Sequence, residues 1–284
     1  MTIGIIGGSG LYAMKDLTVL RKEKISTPFG DPSDEYIVGE IGGKQVVFLP
    51  RHGVGHRILP SELNFRANIF GMKTLGVKKI LSVSAVGSLK EEIKPGHIVF
   101  PDQFIDRTFS RNSTFFGEGI VAHVSFADPI CKETLKVVTE AAKRAGATIH
   151  TGGTYVNMEG PQFSTRAESH LYRSWGASVI GMTNLNEAKL AREAEICYVT
   201  IALSTDYDCW YEEEGDVSTE AILEVIHKNV AMSQKIIKEA VASLGEDCGF
   251  GCQNMLANTI MTDPARIPDA TKNKLNPIIG KYIK

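Results

Sequence analysis

The chain has 284 residues, with 31 Lys and Arg against 33 Asp and Glu, for a formal net charge of −2. A hydrophobic share of 43% beside 23% charged residues is that of a globular domain with a core, not of a disordered or fibrous chain. No basic excess offers a footprint for nucleic acid, and no apolar run approaches the roughly 18 residues of a membrane span, so neither partner is expected. The amino terminus, MTIGIIGG, enters a strand-like run at once without a basic region or cleavage site, and a cytoplasmic protein is expected. Five cysteines without a C-x-x-C spacing fit a reducing compartment. Cys248 and Cys252 form the one close pair, in a Gly-rich turn; they could join as a disulfide and are read as reduced thiols.

Residues 3–6 (IGII) predict a short buried strand, followed by the turn Gly7-Gly8-Ser9-Gly10, where backbone amides can approach an anion closely. Gly8-x-Gly10-x-x-Ala13 also fits the dinucleotide fingerprint. Residues 14–23 that follow are highly charged and lack the spacing of a crossover helix, so NAD-dependent chemistry is only a remote alternative. Residues 35–40 and 44–49 flank Ile41-Gly42-Gly43 and read as a hairpin. Its second strand delivers Pro50-Arg51-His52-Gly53, where a guanidinium could grip an oxyanion at two points; alone, the same residues read equally as a solvated loop. Ser61 is read as the cap of a helix through Leu75, closed by Gly76.

Residues 79–86 (KILSVSAV) predict a second buried strand ending in small and hydroxyl residues, and residues 97–100 another. Asp128 and Pro129 should open a helix that runs to about Arg144 and stops at Gly146. Residues 155–159 and 178–182 read as strands, with a helix between them opened by Ser164 or Thr165. Asn184 is the expected cap of the next helix. Residues 196–210 (ICYVTIALSTDYDCW) begin as a strand buried on both faces and end abruptly in Thr205-Asp206-Tyr207-Asp208. Two carboxylates two residues apart share one side of an extended chain, at the strand end where parallel sheets bind ligands; alone, they read sooner as a polar turn, which Asp favours. Ser218 should cap a long helix to about Leu244, and the proline-bearing tail from Asn254 reads as irregular or a short helix. Alternating strands and helices imply one α/β domain over residues 1–284. No metal constellation stands out among the seven histidines, and His52 with His56 reads as part of a loop.

Four stretches taken together, Ile6-Gly7-Gly8-Ser9-Gly10-Leu11, Pro50-Arg51-His52-Gly53, the segment from Glu159 to Ser169, and Thr205-Asp206-Tyr207-Asp208-Cys209-Trp210, resemble the trimeric purine nucleoside phosphorylases over residues 3 to about 245. The pattern is most similar to the branch that acts on 5′-methylthioadenosine. The resemblance implies a central mixed, partly barrel-like sheet flanked by helices, and a trimer, or a hexamer built from trimers, with sites near subunit interfaces. It implies phosphorolysis, with inorganic phosphate as co-substrate and no cofactor or metal. It places Ser9, Arg51, His52, Ser84, Ala85 and Thr183 around phosphate, Asp206 against purine N7 and Asp208 at the 6-amino group. Phe163 would stack on the base and Met182 would lie under the ribose. Thr219, Ile222 and Leu223 would line the 5′ pocket, with His123 arriving from the neighbouring subunit.

Donation to N7 requires a protonated Asp206, and raising an Asp from about 3.9 to about 7 corresponds to roughly 4 kcal/mol of bias against its charged form. Four positions depart from the family pattern. Ser9 and Ser84 stand where Thr is usual and Thr219 where Val is usual, while Asn186 replaces a Pro, which implies a looser loop there. Phosphorylases of 6-oxo purines carry Asn facing N7, so Asp206 favours a 6-amino base. A purine nucleoside or methylthioinosine phosphorylase and a non-catalytic nucleoside-binding protein are the other readings.

Overall fold

A computed structural model describes residues 1–8, 10, 11, 14–211 and 219–283, the side chains of 219–223 excepted. β5 (Val77–Ser88) is the axis of the molecule. Along one edge it pairs in parallel with β11 (Cys197–Tyr207), from Lys79 opposite Cys197 to Ser88 opposite Tyr207. Along the other edge it changes partner. Its first half lies parallel to β1 (Thr2–Gly7), and its end, Gly87 and Ser88, pairs antiparallel with β10 (Val179–Gly181). The sheet therefore branches. One arm runs through β1 to β4 (Lys44–Pro50), β3 (Tyr36–Ile41) and β2 (Thr18–Glu23). A second runs through β10 to β9 (Thr154–Met158) and β7 (Gln103–Arg107), and β11 continues to β6 (Ile98–Phe100) and β8 (Ile149–Thr151). This is the mixed, partly barrel-like sheet the resemblance implies.

The apolar run of β11 is buried on both faces, as are Ile3, Ile5, Ile80 and Leu81 in its neighbours. Helices cover the sheet. α1 (Phe65–Thr74) packs on α4 (Asn184–Glu193) and α6 (Asp269–Ile279), and α2 (Lys132–Arg144) on α5 (Thr219–Ser243). Between β3 and β4, Gly42 and Gly43 take φ of 56° and 77°, the left-handed pair that a two-residue hairpin turn requires.

Several expected boundaries move. The α1 cap is Asn64, whose side chain accepts from the Ala67 amide, while Ser61 lies in a short 3₁₀ turn and donates to Glu159. α2 begins later than Pro129, because the Cys131 sulfur accepts from the Thr134 amide and takes the capping position. Thr165 caps α3 (Arg166–Ser174) through a reciprocal pair of bonds with Glu168. Asn184 is the first residue inside α4 rather than its cap, because its amide is spent on a buried network. β2 arises from a charged stretch that carries no apolar pattern, as an exposed edge strand paired with β3. The tail forms two 3₁₀ turns and α6.

Candidate active site

β1, β4, β5 and β11 run parallel, so Gly7, Pro50, Ser88 and Tyr207 end on the same side of the sheet. The Arg51 amide extends the ladder by donating to the Gly7 carbonyl at 2.9 Å. Within β5, Ser84 is buried but Ala85 is exposed, so the strand faces an opening rather than core at that point. A cleft of about 830 Å³ lies elsewhere, lined by Thr2, Lys73, Gly76 and Lys78 at the amino ends of β1 and β5, away from these strand ends.

Arg51 is 3% exposed. Its Nε donates to Glu187 Oε1 at 2.5 Å, and Nη2 donates to Glu187 Oε2 at 3.3 Å and to Ser82 Oγ at 2.6 Å. Nη1 donates to the Val83 carbonyl at 2.8 Å. The two-point grip anticipated for an anion is thus held by Glu187, and among the described residues one Nη1 hydrogen is left to meet a ligand. Burial opposes the Arg51 charge, but Glu187 outweighs it and the pKa is raised. Ser82 and Tyr198 hydroxyls donate to Glu187 Oε2 at 2.6 and 2.9 Å. Asn184 Nδ2 donates to Ser82 Oγ at 2.9 Å and Tyr198 at 3.0 Å, while Tyr155 donates to Asn184 Oδ1 at 3.1 Å. This buried lattice ties the start of α4, and with it Thr183, to the floor beneath Arg51. Thr183, itself 3% exposed, precedes α4 without capping it through its side chain.

His52 Nδ1 lies 2.8 Å from the Ile58 carbonyl, which fixes the Nδ1–H tautomer of the neutral ring. Burial, and then the Arg51 charge, push its pKa down to about 4. His56 stacks on it with centroids 4.3 Å apart. At neutral pH His52 therefore presents Nε2 as an acceptor.

At the far end of β11 a register shift between Ser204 and Asp206 sets Thr205 out of the ladder. Thr205 Oγ1 donates to Asp206 Oδ1 at 2.6 Å. The two carboxylates consequently differ in environment: Asp206 is exposed, and Asp208 is 8% exposed. The Asp208 Oδ2 atom is buried with no hydrogen-bond partner among the described residues. The loop carrying Phe163 docks beside it, because the Cys209 thiol donates to the Ser164 carbonyl at 3.3 Å and Arg166 to the Cys209 carbonyl at 3.0 Å. Phe163 is not core. It is 83% exposed.

Sequence reasoning missed Arg111, which is the one charged residue of the polar and aromatic stretch 108–116 and belongs to no motif. Its buried guanidinium donates to the Met182 and Glu159 carbonyls and to Asn186 Oδ1 at 3.0 Å, and pairs with Glu159 at 3.3 Å. Half-buried Met182 is held by its carbonyl, which also accepts from Asn157 at 3.2 Å. Asn186 lies in the first turn of α4, buried and bonded to Arg111, so no loosened loop results from the missing proline. His123 is exposed, with its amide on the Thr259 carbonyl. Ser9 lies outside the described residues, and so do the side chains of Thr219, Ile222 and Leu223, which stand at the start of α5.

Residues 2–242 match the family model described as the phosphorylase superfamily. The chain is 60% identical, over 99% of both chains, to the S-methyl-5′-thioadenosine phosphorylase of Geobacter sulfurreducens. Among solved structures it superposes on a methylthioadenosine phosphorylase from an antarctic soil metagenomic library, with a TM-score of 0.94 and 50% identity over 97% of this chain and 98% of that one. The methylthioadenosine phosphorylase of Schistosoma mansoni, solved with adenine, gives a TM-score of 0.85 and 35% identity over 92% of this chain and 99% of that one.

Proposed function

The chain belongs to the phosphorylase superfamily, and on that premise we propose that it cleaves 5′-methylthioadenosine with inorganic phosphate, releasing adenine and 5-methylthioribose 1-phosphate. The observation that carries the reading is the buried Asp208 oxygen, without a partner among the described residues, at the carboxyl end of β11, beside exposed Asp206 and Phe163. A buried acceptor without a donor costs about 1–3 kcal/mol, which a ligand amino group recovers. The 6-amino group of adenine is such a donor; the 6-oxo group of hypoxanthine is not.

Phosphate occupies the other end. The remaining Arg51 hydrogen, the Ser9, Ser84 and Thr183 hydroxyls and the Ala85 amide supply donors for its oxygens, while His52 Nε2 accepts the hydrogen of its P–OH group. Glu187 cancels most of the Arg51 charge, so the dianion is desolvated by neutral dipoles and its attacking oxygen stays nucleophilic. That oxygen forms a bond to C1′ as the bond from C1′ to purine N9 breaks. The electron pair goes to the purine, and Asp206 delivers a proton to N7. Phe163 closes over the base, and Met182 supports the ribose, oriented by Arg111 through its carbonyl. Thr219, Ile222 and Leu223 face the methylthio group.

The working unit is a trimer in the cytoplasm, with His123 completing a neighbour's 5′ pocket. No helix among the described residues is long and apolar enough to cross a membrane, and all five cysteines are free. Phosphate is a co-substrate, and no cofactor takes part in the chemistry. The assay is ultraviolet detection of adenine from methylthioadenosine with and without phosphate. Release only with phosphate is expected; equal release without it would make the enzyme a nucleosidase, and no release would leave a binding protein.

A further inference from the structure

Four of the five cysteines, which the proposed active site does not use, converge at one point. Cys131 precedes α2, Cys197 opens β11, and Cys248 and Cys252 bracket the turn Gly249-Phe250-Gly251 beyond α5. Their four sulfurs all lie within 4.8 Å of one another, with Cys131 and Cys248 sulfurs 3.6 Å apart. Cys131, Cys197 and Cys252 are buried and Cys248 half-buried. We infer that this cluster is a structural zinc site, closed by four thiolates.

Tetrahedral zinc with bonds of about 2.3 Å sets its sulfurs about 3.8 Å apart, so sulfurs that lie within 4.8 Å of one another need approach by no more than about 1 Å around the ion. A disulfide requires a sulfur pair at about 2.05 Å, which would commit the thiols two by two rather than as one group of four. The C-x-x-x-C spacing of Cys248 and Cys252 falls in the range of zinc knuckles. The turn is shaped for it, with Gly251 at φ 76° and its amide on the Cys248 carbonyl at 3.1 Å.

The surroundings fit a tetrathiolate of net charge −2. The Thr134 amide and hydroxyl both reach the Cys131 sulfur, at 3.5 and 3.2 Å, the outer-shell bonds that orient and stabilise a ligating thiolate. Cys131 also sits at the positive end of the 13-residue helix α2. Phe250 packs against the cluster, and the cations of Lys132 and Arg192 stand 5.8 and 5.7 Å from its ring centroid. Binding would release four thiol protons and pin the segment beyond α5 to the starts of α2 and β11. The ion would take no part in phosphorolysis.

The experiment is metal analysis of the whole chain, expressed in zinc-supplemented medium and purified without chelator. One zinc per chain is expected, abolished in Cys252→Ser and Cys131→Ser and retained in Cys209→Ser, whose cysteine is exposed and outside the cluster. Should both cluster variants fail to fold, cobalt exchanged into the unaltered chain gives the deciding readout. Intense tetrahedral d–d bands with thiolate-to-metal charge transfer support the site, and a weak octahedral spectrum overturns it. A chain that carries no zinc with its thiols reduced, or whose mass records hydrogens lost to disulfides, also overturns it.

Discussion

Arg51 and Glu187 meet at 2.5 Å in the floor of the proposed phosphate site, both side chains almost wholly buried. Removing one partner of a buried pair strands the other's charge, at a cost of about 3–5 kcal/mol. Glu187→Gln and Arg51→Met are each expected to destabilise on this scale, and the double variant by less than the two summed. Urea unfolding of the four proteins checks this; strictly additive losses would mean that the pair is not coupled.

Asp206→Asn is expected to lose about a hundredfold to ten-thousandfold in kcat on methylthioadenosine, the usual worth of general-acid assistance. Relative activity on inosine-type nucleosides should rise, because a neutral amide can donate to both N7 and O6. Steady-state kinetics on methylthioadenosine, adenosine, methylthioinosine and inosine measure both effects. Unchanged adenine-nucleoside kinetics would remove Asp206 from the mechanism.

Asp208→Asn separates binding from folding. Among the described residues one Asp208 oxygen is buried without a donor, so neutralising the side chain should not lower the unfolding midpoint. Against the 6-amino base, however, an acceptor is lost, and kcat/KM should fall by about 10- to 100-fold, equivalent to roughly 1–3 kcal/mol. A loss of stability that matches the loss of activity would assign Asp208 to the core instead.

His52 predicts a pH dependence. Its folded pKa, near 4, lies below the ordinary histidine value of 6.5, so the unfolded chain takes up a proton first as pH falls. Stability from this residue is complete above 6.5 and declines from there down to about 4. Allowing for the partial exposure of the ring, the decline amounts to no more than about 2 kcal/mol. His52→Asn keeps a donor for the Ile58 carbonyl without titrating, and its acid limb should be shallower over that window in urea titrations at stepped pH.

The central strands were legible in the sequence because a strand buried on both faces leaves an unbroken apolar run, and the sudden end of that run put Asp206 and Asp208 at a strand end, where the ligand is proposed to bind. Phe163 was legible only through its motif, since nothing in a Gly-Pro loop says whether an aromatic ring turns inward or out. Arg111 was not legible. Its role comes from carbonyls supplied by Glu159 and Met182, about fifty and seventy positions later, which no local spacing encodes. The partner of Arg51 was hidden for the same reason: Glu187 faces it only because α4 folds back beneath β5. The cysteine cluster likewise joins residues 131, 197, 248 and 252, of which only the last two are near neighbours in the chain.

Two carboxylates facing a purine are the centre of the proposed chemistry. A crystal structure of the enzyme with adenine and phosphate tests it directly. Asp206 should lie within hydrogen-bonding distance of N7, the Asp208 Oδ2 atom should accept from the 6-amino group, and Phe163 should cover the ring. Adenine bound with Asp206 still turned to solvent and Asp208 still unpartnered would contradict it.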